Sequence, residues 1–287
     1  MSRKEPPGGS EPEPLDLPIP AELTRRARSI AESEDAQWIP VPARDAATVV
    51  LLRGTRSGFE VFLQRRVGTM AFAAGMYVFP GGRVEDRDAD PSVPWIGDRQ
   101  FEPFKLRPEC APTASFRAMT VAAARETWEE AGVSLATASS RRVRPPDTSQ
   151  DLLGWLAEVG ATITATDLHP WAHWVTPEAE RRRFDTRFLV AALPEEQQAT
   201  ERGSESDDST WIDPGSALTK AGAGELPMLP PTLRSLQLLT EFADVSSVLR
   251  HARELRPTPL LPKPELTKTG EVRWVIVDAY SQEPIWP

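Results

Sequence analysis

The chain has 287 residues, enough for one elaborated domain or two small ones. A hydrophobic share of 40% and a charged share of 26% exclude a wholly disordered or collagen-like chain. With 33 basic against 42 acidic residues the net charge is −9, which argues against general binding to a nucleic-acid backbone. One cysteine, Cys110, and three histidines exclude a disulfide framework and a Cys- or His-rich metal centre. Any bound metal would therefore be held by carboxylates, which suits Mg²⁺ or Mn²⁺. No apolar run approaches the ~18 residues of a membrane span. The opening MSRKEPPGGSEPEPLD lacks the apolar stretch of a secretory signal, so a cytoplasmic location is expected.

Residues 1–37 are rich in Pro, Glu and Ser and read as a disordered or loosely packed tail, with a short amphipathic helix at 21–33. The apolar run Ala47–Leu52, a turn at Gly54–Gly58 and the run Phe59–Gln64 predict a hairpin. Gly75–Phe79 predicts a third strand, stopped by Pro80-Gly81-Gly82. Residues 86–114 carry no clear period and read as an inserted loop. Ser115 to Ala131 is an Ala-rich helix ending at Gly132. Beyond it, a helix is predicted at 151–158, strands at Trp174-Val175 and Thr186–Ala192, and an acidic loop at 195–209. A short strand at Thr210–Ile212, a helix at Pro214–Ala221, a long helix over 231–254 and a strand at 272–278 complete the pattern. The expectation is α/β (α+β): one domain over 38–225 with insertion 86–114, and a C-terminal extension, 226–287, packed on it.

Within the Ala-rich helix, Glu126, Glu129 and Glu130 stand at i, i+3 and i+4 and share one face. Three like charges there repel, and a divalent cation would neutralise them. Upstream, Phe79-Pro80-Gly81-Gly82-Arg83-Val84-Glu85 ends a strand in a turn that lets backbone approach a ligand closely. A solvated acidic face and a plain turn would explain each feature singly. Together they are specific.

In this combination the chain resembles the Nudix hydrolases, whose signature reads GX5EX7REUXEEXGU. Arg125-Glu126-Thr127-Trp128-Glu129-Glu130-Ala131-Gly132-Val133 matches its second half, with Thr127 at an aliphatic position, and Gly82 matches its opening glycine. Asp88 stands at the place of the first glutamate, and residues 89–124 separate it from Arg125 where the signature has seven. Either Asp88 or Glu85 could pair with Arg125. Phe62–Arg66 and Gly75–Gly82 also resemble the LLTXR and GX3FPGG elements of coenzyme A diphosphatases, without their basic run. The interrupted box, Trp174-Val175-Thr176-Pro177 and Arg183–Phe188 look like the acyl-CoA diphosphatase subgroup.

The resemblance implies an α/β/α sandwich around a mixed sheet and Mg²⁺- or Mn²⁺-dependent cleavage of a nucleoside diphosphate linked to another group. It implies metal ligands at Glu126, Glu129, Glu130 and the Gly82 carbonyl, with Glu129, Glu130 and Arg125 as the catalytic set. Arg125 would clamp a carboxylate. Arg66, Arg65, Arg83 and Gly81 are candidate substrate contacts, with Arg66 the one of its pair facing the pocket. Glu130, Glu205 and Asp208 are candidate bases. The substrate is a small molecule, either CoA or acyl-CoA or another nucleoside diphosphate derivative. A ligand sensor that no longer hydrolyses is the reading from a different class. A homodimer stays open.

Overall fold

The computed structural model describes residues 19, 21–32, 39–68, 73–98, 102–104, 115–139, 141–146, 151–200, 202, 205–267 and 271–286. Cys110 and most of the later half of the insertion lie outside the described residues. In chain order the elements are α1 (Ala21–Glu32), β1 (Arg44–Thr55), β2 (Gly58–Arg66), β3 (Tyr77–Val78), β4 (Gly81–Arg83), α2 (Asp86–Ala89), β5 (Trp95–Ile96) and α3 (Phe116–Ala131). Then come β6 (Ala136–Ala138), β7 (Arg141–Val143), α4 (Leu152–Val159), β8 (Thr162–Thr164), β9 (His169–Val175), β10 (Phe184–Ala192) and β11 (Ser206–Ile212). The remainder is α5 (Pro214–Gly222), α6 (Pro230–Leu239), α7 (Val245–Glu254), β12 (Pro259–Leu266), β13 (Val272–Asp278) and β14 (Pro284–Trp286).

The main sheet is mixed, in the order β11-β2-β1-β10-β9-β12-β13-β14, with β1 parallel to β10 and antiparallel to β2. Side chains alternate across it. Val49, Leu51, Leu189 and Ala191 meet α3 in one core, while Val50, Leu52, Phe188 and Val190 meet α6 and α7 in the other. Burial on both faces explains the unbroken apolar run Val49–Leu52. The result is the sandwich expected. A smaller sheet, β5-β8-β6-β7, lies beside it.

Helix α3 is shaped for close approach. Ser115 caps it by accepting from the Ala118 N–H, and Gly132 stops it in the left-handed region at φ 66°. Ala122, Ala123 and Ala124 are fully buried and let the helix lie near β1. Thr127, at an aliphatic signature position, is also fully buried; its hydroxyl donates to the Ala123 carbonyl at 2.7 Å and so carries no unmet polar group.

Three expectations are corrected, and one strand is added that the sequence reading did not name. Within the N-terminal tail, α1 is packed: Leu23 and Ala27 are buried against Ala179, and Trp274 Nε1 donates to Thr24 Oγ1 at 3.2 Å. The single helix over 231–254 is two helices, because Asp244 and Ser247 form a capping box that starts α7 afresh. The acidic loop is partly strand, since β11 pairs with β2. Strand β12 escapes a hydrophobicity reading because Pro259, Pro262 and Pro264 interrupt it; it pairs with β9 only at Pro259 and Leu260, which leaves one side open to prolines. Among the described residues no helix is long and apolar enough to cross a membrane.

Candidate active site

The site lies where the sheet parts. β1 and β2 pair over Leu52–Thr55, but further along β4 runs beside Ala46–Thr48 and β3 beside Gln64 and Arg65. The gap opens into a cavity of about 1160 Å³ that reaches Glu126, Glu129 and Glu130 on α3. Gly81 and Gly82, expected to form a turn, open strand β4 instead, and crowding at this junction requires glycine there. A Cβ on Gly81 would sit 2.5 Å from the Ala47 carbonyl oxygen, and one on Gly82 would strike the Glu126 carboxylate. Backbone and carboxylate can approach this closely only at glycine.

Arg125 organises the carboxylates. Its Nε and Nη2 each donate at 2.9 Å to the two oxygens of Asp88, and Nη2 also donates to the Arg83 carbonyl at 2.9 Å. Nη1 reaches Glu126 at 2.7 Å and Glu129 at 3.0 Å. Burial opposes the guanidinium charge, but the carboxylates of Asp88 and Glu126 outweigh it and raise the Arg125 pKa. Asp88, not Glu85, is thus the partner of Arg125. The shorter aspartate suffices because Asp88 sits in α2 and is anchored there, accepting from the Glu85 N–H at 2.8 Å. Glu85 itself caps α2, accepts from Arg87 Nε at 2.7 Å and lines the cavity.

Glu130 accepts from the Gly81 N–H at 2.9 Å and from Gln64 Nε2 at 2.5 Å. Burial first, and the Glu126 charge second, push its pKa up to about 8. Burial also raises Glu126, against the pull of Arg125. Arg66 lines the cavity, pairs with Glu205 at 3.2 Å, and keeps a buried Nε without a partner. Gly81, Gly82, Arg83 and Glu205 line it too. Arg65, one residue along the strand, turns away and pairs with Asp207 at 2.7 Å. Asp208 also stands off the cavity, accepting from the Tyr77 hydroxyl at 2.5 Å. Burial and Asp208 together push that hydroxyl's pKa up to about 12.

Sequence reasoning missed Gln64, whose signal was available: Phe62, Gln64 and Arg66 share one strand face, so Gln64 is a buried polar residue beside the candidate phosphate contact. It also missed the floor, formed by Ala46 and Thr48 on β1 with Phe184 and Thr186 on β10.

Among the described residues no three acidic, His or Cys side chains converge as a ready metal cage. The carboxylates are instead drawn to Arg125, Gln64 and the Gly81 N–H. Their chemistry nonetheless fits a hard divalent cation. Every candidate side-chain donor is a carboxylate oxygen, burial and then the charge of neighbouring carboxylates raise the pKa of Glu126 and Glu130, and a Cβ-free backbone lies against Glu126.

The sequence pattern of the family described as NUDT19 Nudix domain matches residues 43–239. The chain is 27% identical over 228 residues to putative nudix hydrolase 7 of Caenorhabditis elegans, covering 77% of this chain and 68% of that protein. It is 24% identical over 241 residues to acyl-coenzyme A diphosphatase NUDT19 of Xenopus laevis, covering 67% and 62%. The match to the Gallus gallus protein of that name is 23% over 264 residues, covering 71% and 70%. The crystal structure of a NUDIX hydrolase from Alicyclobacillus acidocaldarius superposes with a TM-score of 0.61 at 26% identity, over 73% of this chain and 96% of that one.

Proposed function

The chain belongs to the NUDT19 Nudix domain family and is a Nudix pyrophosphohydrolase, and from that premise we propose that it cleaves the pyrophosphate of CoA or acyl-CoA. The products are adenosine 3′,5′-bisphosphate and 4′-phosphopantetheine or its acyl form. One observation carries the reading: the Glu126, Glu129 and Glu130 carboxylates, the Gly81-Gly82 backbone and Arg66 line a single deep cavity. The diphosphatases named above, and the FPGG element at Phe79–Gly82, favour CoA over other nucleoside diphosphate derivatives.

Glu126, Glu129, Glu130 and the Gly82 carbonyl would hold Mg²⁺ or Mn²⁺. When bound, such an ion polarises phosphoryl oxygens and acidifies water. The chain's own residues do the rest. Arg66 neutralises charge on a phosphoryl oxygen. Water adds to one phosphorus, its proton passes to a carboxylate, and the bridging oxygen leaves with the other phosphate. Glu130, held by Gln64 and Gly81, and Glu205 on the cavity wall are the candidates to take that proton. Arg125 orients Glu126 and Glu129 and ties them through Asp88 to the turn before α2.

The test is a product assay with CoA, NADH, dinucleoside polyphosphates and NDP-sugars, each with Mg²⁺ and with Mn²⁺. CoA turned over to the two named products is the expected result. Rapid turnover of NADH or a dinucleotide, with CoA untouched, overturns the CoA assignment and leaves the pyrophosphohydrolase chemistry in place.

A further inference from the structure

The cavity has a second end, away from the carboxylates. Arg44, Ala46 and Thr48 lie on one face of β1, in parallel register with Phe184, Thr186 and Phe188 of β10. This floor leads away from the Gly-Gly pair of β4, where Gly82 lies opposite Ala47. Arg44 is three residues further on, about 10 Å at the usual strand rise. The β9–β10 connection arrives at the same place and contributes Arg181 and Arg182 to the cavity wall.

The position of that connection is fixed. Arg183 Nε donates to the Thr176 carbonyl at 3.0 Å and its Nη1 to the Val41 carbonyl at 2.9 Å. The Arg44 N–H donates to the Arg183 carbonyl at 2.9 Å. Arg183 is thus committed to backbone, while Arg44, Arg181 and Arg182 are exposed and have no side-chain partner among the described residues. Elsewhere on this acidic chain Arg53, Arg65, Arg142 and Arg273 do find carboxylates. Glu22, Glu180 and, level with Arg44 where β4 follows β1, Glu85 also line the cavity, and among the described residues none of them pairs with these three arginines.

We propose that Arg44, Arg181 and Arg182 form a second anion subsite, which binds a phosphomonoester carried on the ribose of the nucleotide whose pyrophosphate is cut. The inference rests on the pyrophosphohydrolase reading of the carboxylate end. A pyrophosphate held at the Gly-Gly pair of β4 does not extend to Arg44, whereas a phosphate on the far side of the attached sugar does. Guanidinium groups suit this task because their planar forks bind phosphate oxygens in pairs. The subsite would select a ribose-phosphorylated nucleotide over its unphosphorylated counterpart.

The experiment is calorimetric binding to the full chain of two probes, adenosine 3′,5′-bisphosphate and AMP. The wild type is expected to bind the bisphosphate at least ~10-fold more tightly. Arg44→Ala and the double variant Arg181→Ala/Arg182→Ala should each shrink that preference to less than about two-fold and leave AMP affinity as it was. These side chains are exposed, and unchanged melting temperatures will show the variants folded. Equal wild-type affinity for the two probes overturns the subsite. So does a preference that survives in the variants, or an equal loss of both probes. Because no turnover is needed, a chain that leaves CoA uncut but prefers the bisphosphate keeps the subsite and loses the CoA assignment. One that cuts CoA without the preference does the reverse.

Discussion

Two buried arginines, Arg125 on α3 and Arg187 on β10, sit among carboxylates within the same fold, and only the first belongs to the cavity. Arg125 spends its donors on Asp88, Glu126, Glu129 and a backbone carbonyl. Arg187 donates through Nη1 to Asp45 at 2.6 Å and to the Asp185 carbonyl at 3.0 Å, and its Nε and Nη2 are buried without partners. Asp185 also accepts from Tyr280 at 2.9 Å and bonds His173 at 2.6 Å, while Phe104 packs edge-on against the His173 ring. The residue types are alike; the sheet face is not. Asp185 and Arg187 alternate with the cavity-lining Phe184 and Thr186, so their cluster faces the other way and fastens β1, β9, β10 and the C-terminal segment together. Burial of charge therefore points to a candidate site here only when it is joined to access.

The largest effect expected is on the inaccessible cluster. Asp185→Asn keeps the shape and removes a charge beside Arg187 and His173, and breaking a buried pair in this way costs about 3–5 kcal/mol. Denaturant unfolding should show that loss, with kcat of the folded enzyme unchanged; a changed kcat at intact stability would erase the distinction between the two clusters. Next come Glu129→Gln and Glu130→Gln, each expected to lower kcat by ~10²-fold or more with little change in unfolding. Chelation should silence the wild type, and full activity in both variants would sink the assignment of these carboxylates. Arg125→Lys retains charge but cannot span Asp88, Glu126 and Glu129 at once, so a ~10-fold loss of activity is expected. Its melting temperature should fall less than that of Asp185→Asn.

The smallest effect is one of pH. Burial holds the His173 pKa below its ordinary 6.5, and the partnerless Nδ1 in the core is consistent with a neutral ring. As pH falls past 6.5 the unfolded chain takes up a proton that the folded chain refuses. Stability is therefore full above that point and declines below it. Asp185 adds to the decline at lower pH: burial would raise its pKa, but the His173 hydrogen bond and the Arg187 charge pull it below the ordinary value. His173→Gln should flatten the upper part of this dependence in melting curves recorded from pH 5 to 8, and an unaltered slope would count against a neutral His173.

What could be read from the sequence was what lies close along it. Glu126, Glu129 and Glu130 share a helix face by spacing alone, and the Gly81-Gly82 pair signals close backbone approach, although it lies in strand β4 and not in a turn. The choice between Asp88 and Glu85 needed the third dimension, because α2 turns one carboxylate inward and leaves the other as its cap. Arg44 belongs to the cavity through the register of β1 on β10, and Arg181 through the path of the β9–β10 connection, neither of which hydrophobic patterning encodes. The break between α6 and α7 was signalled by Asp244 and Ser247 but lost under the apolar spacing of one long helix, and prolines masked β12, for which no element was expected.

The Asp88–Arg125 pair joins residues 37 apart in sequence. Against the eight-residue spacing of the uninterrupted signature this is a little over two doublings of the enclosed loop, an entropic difference of about 1.3 kcal/mol. The segment is also stitched back onto α3: Arg117 donates to the Ala89, Asp90 and Val93 carbonyls, Trp95 to Thr120, and Glu102 accepts from the Phe116 N–H. Catalytic geometry at one mouth of the loop is thereby insulated from the length of chain beyond it. Such a junction is a natural port for grafting: a foreign peptide or a small folded module can be spliced into it while the ends stay clamped.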